Sequence, residues 1–142
     1  MAERKASATW QGDLFQGNGT TSALSSGLFT DAPVSWPART EDPEGKTSPE
    51  ELMAAAHATC FCMALSNELS KRGHVPERLT IAAVCTFVPG KGVTTMDLDV
   101  TASVPGADEA QFREGLDAAK ESCPVSNALR NNVDIRVNGR LG

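Results

Sequence analysis

The chain has 142 residues, of which 40% are hydrophobic and 22% charged, and its 18 acidic against 13 basic residues give a net charge of -5. That length predicts a single domain over residues 1–142, able to bury a core without disulfides or metal, and argues against disorder. The acidic balance and the scattered basic residues exclude nucleic acid and anionic membrane surfaces as expected partners.

Residues 1–10 carry Glu3, Arg4 and Lys5 with no apolar segment behind them, so they do not read as a secretion signal, and a cytoplasmic protein is expected. From 6 to 36 the chain is rich in Gly, Ser and Thr. A Gly17-Asn18-Gly19 turn signal separates weakly alternating segments, with Ala6, Ala8 and Trp10 on one face, which predicts two or three short strands. Residues 37–47 contain two prolines, a glycine and five charged residues, and predict a loop.

The strongest signal follows. Ser48 is a good N-cap, Pro49 suits the first helical position, and Glu51 completes a capping-box pattern ahead of an apolar run. The helix can run over 49–72, about 36 Å, until Lys71 and Arg72 complement its dipole and Gly73 stops it. Between Leu52 and Leu65 it is apolar nearly all round, too short for a membrane span of about 20 residues, so other elements are expected to cover it as a central helix.

Alternation at Leu79, Ile81, Ala83, Cys85 and Phe87, then at Met96, Leu98, Val100, Ala102 and Val104, predicts two strands joined through Pro89-Gly90-Lys91-Gly92. Asp108 with Gln111 repeats the capping-box pattern before a helix that aligns Phe112, Leu116 and Ala119. Pro124 ends helix at Cys123 and opens a short one over 124–129. Val133, Ile135 and Val137 form a closing strand. The order β-β-β-α-β-β-α-α-β is α+β, with no parallel βαβ repeat.

Four cysteines without secretory context point to reduced thiols. Cys85 belongs to the inward set of its strand and reads as a small core residue. Cys60 and Cys62 lie roughly 200° apart around the helix and cannot chelate one metal. His57, one turn before Cys60, reads as an exposed or capped histidine more readily than as a general base. Cys60 sits mid-helix among Ala56, Met63 and Ala64, where it is either core filler or a buried nucleophile. Cys123 occupies the N-cap before Pro124, where exposed N–H groups and the helix dipole favour a thiolate, so by itself it reads equally as a functional thiol or as packing.

The runs Ser48-Pro49-Glu50-Glu51-Leu52, Ala55-Ala56-His57-Ala58-Thr59-Cys60-Phe61 and Ser122-Cys123-Pro124-Val125-Ser126, with Ala8-Thr9-Trp10-Gln11-Gly12 near the start, resemble the OsmC/Ohr family of thiol peroxidases, and its OsmC branch more closely. The resemblance implies an intertwined homodimer, with Cys60 as peroxidatic and Cys123 as resolving cysteine. It also implies Glu50 and an arginine beside the thiolate; Arg39 is the candidate, although Trp36-Pro37-Ala38-Arg39 departs from the family's usual pattern there, and Cys62 lies outside the pattern.

The chemistry suits these residue types. A free cysteine titrates near ~8.5 and burial raises that, so a buried nucleophile needs a cation, which a carboxylate can orient. Glu50 and Cys60 are ten residues apart on one helix, about 15 Å along its axis, so a site that uses both needs a second subunit.

The expected function is therefore reduction of organic hydroperoxides, and of hydrogen peroxide less well, without a cofactor or metal. An external dithiol, which the resemblance suggests to be lipoyl-like, would regenerate the enzyme. Leu52, Met53, Phe61 and Met63 are expected to form an apolar surround that favours alkyl substrates. Two other readings stand beside it: a module that binds a small apolar ligand, which hydroperoxide turnover would exclude, and a redox sensor, which slow stoichiometric oxidation would favour.

Overall fold

The computed structural model describes residues 1–142 as two compact units, Met1–Leu52 and Met53–Gly142. In chain order the elements are β1 (Ala6–Gln11), β2 (Asn18–Ala23), β3 (Ala32–Val34), α1 (Trp36–Thr40), α2 (Pro49–Lys71), β4 (Arg78–Val88), β5 (Gly92–Ser103), α3 (Glu109–Ser122), α4 (Pro124–Leu129) and β6 (Asp134–Leu141). The α+β class and the element order match the sequence reading, with one helix added.

In the first unit, β1, β2 and β3 form an antiparallel sheet in that order. Trp10 pairs with Gly19, where a Cβ would lie only 2.7 Å from the indole ring, so glycine is what lets the ring lie across the neighbouring strand. Indole Nε1 donates to the carbonyls of Gly12 and Asp13, both at 3.2 Å, which folds the turn back on the strand. All six residues of β1 are exposed, so its weak alternation does not mark a buried face.

The added helix is α1, inside the stretch expected to be a loop. Ser35 accepts from the Ala38 N–H at 3.2 Å and Pro37 fits the first turn, so a cap and a proline suffice for five helical residues despite the surrounding charge. At the start of α2, Ser48 Oγ accepts from the Glu51 N–H at 3.1 Å as expected. The box is not reciprocal, because the Glu51 carboxylate accepts from the Thr47 hydroxyl at 2.7 Å instead.

In the second unit, β4 and β5 form a long antiparallel hairpin, with Ile81 opposite Val100, and β6 adds in parallel on the other side of β5, with Leu98 opposite Val137. Their inward residues Met96, Leu98, Val100 and Ala102 join Phe61, Leu65 and Leu69 of α2 and Phe112, Leu116 and Ala119 of α3 in one core. Gly115 permits close approach of α3 to α2, since a Cβ there would meet Leu69 at 2.5 Å. Full burial of Phe61 alone contributes roughly 1.5–3 kcal/mol. The α3 capping box is complete in both directions, Asp108 with the Gln111 N–H at 2.8 Å and the reverse bond at 2.9 Å.

Helix α2 ends at Lys71, one residue before the expected Arg72. Gly73, at φ +84°, allows the His74 N–H to reach the Leu69 carbonyl at 2.9 Å and the Gly73 N–H that of Ser70 at 3.0 Å, closing the helix with a Schellman turn. Its buried stripe is His57, Phe61, Leu65 and Leu69, one residue per turn. The expectation that the chain's other elements cover it on most sides fails: Ala55, Ala56, Thr59 and Met63 are exposed, Met63 to 68%.

Candidate active site

Cys60 lies at mid-length in α2, half-buried, and its thiol meets α4. The Val125 N–H, in the first turn of α4, donates to Cys60 Sγ, and the Cys60 and Cys123 thiols are hydrogen-bonded to one another. Burial, chiefly, and then the neighbouring Cys123 push the Cys60 thiol above its ordinary value, with Val125 opposing them. None of these groups in its own unit is a cation.

Cys123 is fully buried and joins two helices: its N–H donates to the Ala119 carbonyl at 2.9 Å to close α3, and it stands at the N-cap of α4. The expected use of that N-cap is corrected, because the Cys123 side chain makes no capping bond. The N–H group at the start of α4 serves Cys60 instead. Pro124 explains why: it has no N–H of its own, so Val125 carries the first available donor of the helix.

A second polar contact ties the same two helices. His57 and Ser126, each three residues from one of the paired cysteines, are buried at 0% and 2% exposure, with Nε2 and Oγ 2.7 Å apart, so the expectation of an exposed or capped His57 is corrected: the ring lies between α2 and α4. Burial lowers the His57 pKa and keeps the ring neutral at pH 7, and its Nδ1 has no hydrogen-bond partner. The sequence reading left Ser126 and the Val125 N–H unassigned, although the matching three-residue spacing on both helices was visible.

Arg39 and Glu50 form the other cluster, within the first unit. Arg39 stands at the end of α1 and Glu50 in the first turn of α2, where the dipole favours an acid. Both Nε, at 2.8 Å, and Nη2, at 2.7 Å, of Arg39 approach Glu50 Oε1. The guanidinium also lies 5.8 Å from the centre of the Trp36 ring. Glu50 is 5% exposed and its Oε2 has no partner. Beside this pair is a cavity of about 310 Å³ walled by Trp10, Leu14, Val34, Trp36 and Pro49, with Arg39 and Ser35 at its polar edge.

Cys62 and Cys85 are half-buried and outside this thiol pair; burial raises the Cys62 pKa. Cys85 packs against the core as expected. The expected apolar surround is redrawn, since Phe61 is wholly buried in the core and Met63 is exposed on another face of α2, so the two cannot line one pocket. No helix is long and apolar enough to cross a membrane.

Known proteins are similar to this chain in sequence and fold. The OsmC-like protein family matches residues 41–138. Peroxiredoxin OsmC of Escherichia coli is 36% identical over 135 residues, 93% of each chain, and an organic hydroperoxide resistance protein of Xanthomonas axonopodis is 32% identical over 80% of this chain and 81% of its own. Among solved structures, an organic hydroperoxide resistance protein OsmC from Legionella pneumophila superimposes with a TM-score of 0.68 at 26% identity, covering 98% of each chain. Two cysteine segments, the fold and relatives on both branches agree: the chain belongs to the OsmC-like family.

Proposed function

We infer that the protein is a cysteine-based peroxidase that reduces organic hydroperoxides, and hydrogen peroxide less well. The observation that carries this reading is the Cys60–Cys123 thiol pair with the Val125 N–H directed at Cys60. The Cys60 thiolate attacks the outer oxygen of the hydroperoxide, the O–O bond breaks, and the alcohol leaves with a proton, giving a sulfenic acid. The Cys123 thiol then attacks that sulfur, releasing water and forming a disulfide. An external dithiol, lipoyl-like in being a small cyclisable pair, reduces this disulfide back to two thiols and closes to its own cyclic disulfide.

Cys60 needs a positive charge to ionise near neutral pH, and Arg39, steered by Glu50, is the residue assigned to supply it. The arginine comes from a second copy. Ten residues separate Glu50 from Cys60 along α2, about 15 Å of helix, and a second subunit removes that distance. The exposed row Ala55, Ala56, Thr59 and Met63 on α2 and the exposed side chains of Trp10, Leu14 and Phe15 supply apolar surface for it to cover. The working form is thus an obligate homodimer in the cytoplasm, each copy acting as one domain over 1–142, with an interface above ~2,000 Å². The apolar cavity beside Arg39 favours an alkyl chain over a small polar peroxide.

Treatment of the reduced protein with one equivalent of an organic hydroperoxide, followed by peptide mapping, tests this reading. A Cys60–Cys123 disulfide formed at a rate that supports turnover is expected. Oxidation confined to Cys62 or Cys85, or a disulfide that no dithiol recycles, would overturn it.

A further inference from the structure

We propose that His57, acting through Ser126, is a positioning residue for the resolving step: their hydrogen bond holds α4 in register against α2 so that Cys123 reaches the oxidised Cys60 before a second hydroperoxide does. The inference rests on the assignment of Cys60 and Cys123 given above.

The geometry is a ladder with two rungs. Cys60 meets Cys123 on one rung and His57 meets Ser126 on the other; within each helix the two positions are three residues apart, so they share a face. The order is antiparallel, 57 with 126 and 60 with 123. Helix α4 has six residues and no side-chain cap, too short to hold its own position. At its C-terminal end Arg130 holds it to the Lys120 carbonyl on α3, but His57–Ser126 is its side-chain hydrogen bond to the helix that bears Cys60, apart from the contacts of Cys60 itself.

A buried imidazole with one nitrogen unpaired is a poor device for stability alone, since an apolar pair of similar volume fills the space without leaving a polar atom unmatched. What an apolar pair lacks is direction. A 2.7 Å bond fixes both the distance and the angular register of α4.

That register matters when Cys60 is a sulfenic acid. The sulfur has gained an oxygen, so its contacts with Cys123 and with the Val125 N–H must be remade. The His57–Ser126 rung contains no reacting atom and persists. It keeps the Cys123 thiol close while the S–S bond forms and water leaves. The competing path is a second hydroperoxide, which transfers an oxygen to the sulfenic acid, leaves as alcohol, and produces the sulfinic acid that Cys123 can no longer resolve. Position alone decides between the two, because an intramolecular thiol competes through its effective concentration.

The test is the partition between disulfide and sulfinic acid at Cys60, measured by intact-protein mass spectrometry over a range of hydroperoxide concentrations. Ser126→Ala and His57→Leu should each raise the sulfinic fraction per turnover roughly tenfold. Ser126→Thr, which keeps the hydroxyl, should restore the wild-type partition. The double variant His57→Leu/Ser126→Ala removes the unpaired nitrogen and the bond together, and should recover thermal stability while still over-oxidising. A wild-type partition in that stable double variant, or failure of Ser126→Thr to restore it, would overturn the proposal. Either result with an intact Cys60–Cys123 disulfide cycle would leave the peroxidase reading standing, whereas turnover by Cys60→Ser would remove that reading itself.

Discussion

The chain holds two polar clusters built on opposite terms. Arg39 and Glu50 form an ion pair at 2.7 Å, stacked near an indole and bordering an apolar cavity, with no nucleophile in it. Cys60 and Cys123 form a thiol pair against a neutral histidine and a serine, with a nucleophile and no cation. Each lacks what the other has. The ion pair leaves Glu50 Oε2 unsatisfied, and the thiol pair leaves Cys60 held up in its protonated form by burial. On the proposed assignment, chemical competence is divided between two regions of the sequence, and each region can be broken separately.

The largest effect belongs to the nucleophile. Cys60→Ser conserves volume but replaces the thiolate by a hydroxyl that does not attack peroxide, so turnover should fall to the uncatalysed background with an unchanged circular dichroism spectrum. Retained turnover in a steady-state assay would place the chemistry on another thiol. Cys123→Ser comes next: the first oxidation of Cys60 still occurs, but dithiol-driven recycling stops and the sulfinic state accumulates. Mass spectrometry of peroxide-treated protein reads this directly, and a disulfide that persists in the variant would make Cys62 or Cys85 the resolving residue.

Breaking the charged cluster should cost less. On the proposed assignment, Arg39→Ala would remove a charge-assisted contact to the thiolate, worth about 1.5–3 kcal/mol, or roughly 10- to 100-fold in the rate of Cys60 oxidation. The loss should shrink at alkaline pH, where the thiol ionises unaided, and Arg39→Lys should recover only part of it because an ammonium lacks the two-pronged geometry. A pH–rate profile that is the same for Arg39→Ala and the parent would separate Arg39 from the thiolate.

The smallest effect is on stability in acid. Burial puts the folded-state pKa of His57 below its ordinary value of 6.5, so the unfolded chain binds the proton more readily. The stability this neutral histidine allows is present above pH 6.5 and is lost as the pH falls from there through the lowered folded-state pKa. Urea melts at successive pH values should show that slope, and His57→Leu should flatten it. A slope identical in the variant would assign the acid sensitivity elsewhere.

Much of the fold was legible because its strongest signals are local. The Ser48 cap, the Gly73 stop and the Asp108–Gln111 box each act over three or four residues, and each sits where the sequence puts it. Helix α1 escaped because prolines and charges mark a loop equally well, and only the Ser35 bond to the Ala38 N–H distinguishes the two. The parallel addition of β6 to β5 was not legible, since Leu98 and Val137 find each other across 39 residues. In the site, the cysteines and Glu50 came from the family resemblance, and spacing alone left Cys60 ambiguous. The Val125 N–H and Ser126 depend on how α4 docks, which no local pattern encodes. Full burial of Phe61 likewise followed from the core stripe of α2, which runs through Phe61, Leu65 and Leu69 and leaves Met63 outside.

The division of the site between two copies is tested most directly by mixing the two defects. Chains carrying Cys60→Ser and chains carrying Arg39→Ala, each with its own tag, are co-expressed, and the heterodimer is isolated on both tags. In a shared site, one of the two centres in that heterodimer combines an intact Cys60 with an intact Arg39 from the other chain, so about half of the wild-type turnover should return although each parent homodimer is impaired. Turnover no higher than the mean of the two homodimers would contradict the account, because every centre would then draw Arg39 and Cys60 from the same chain.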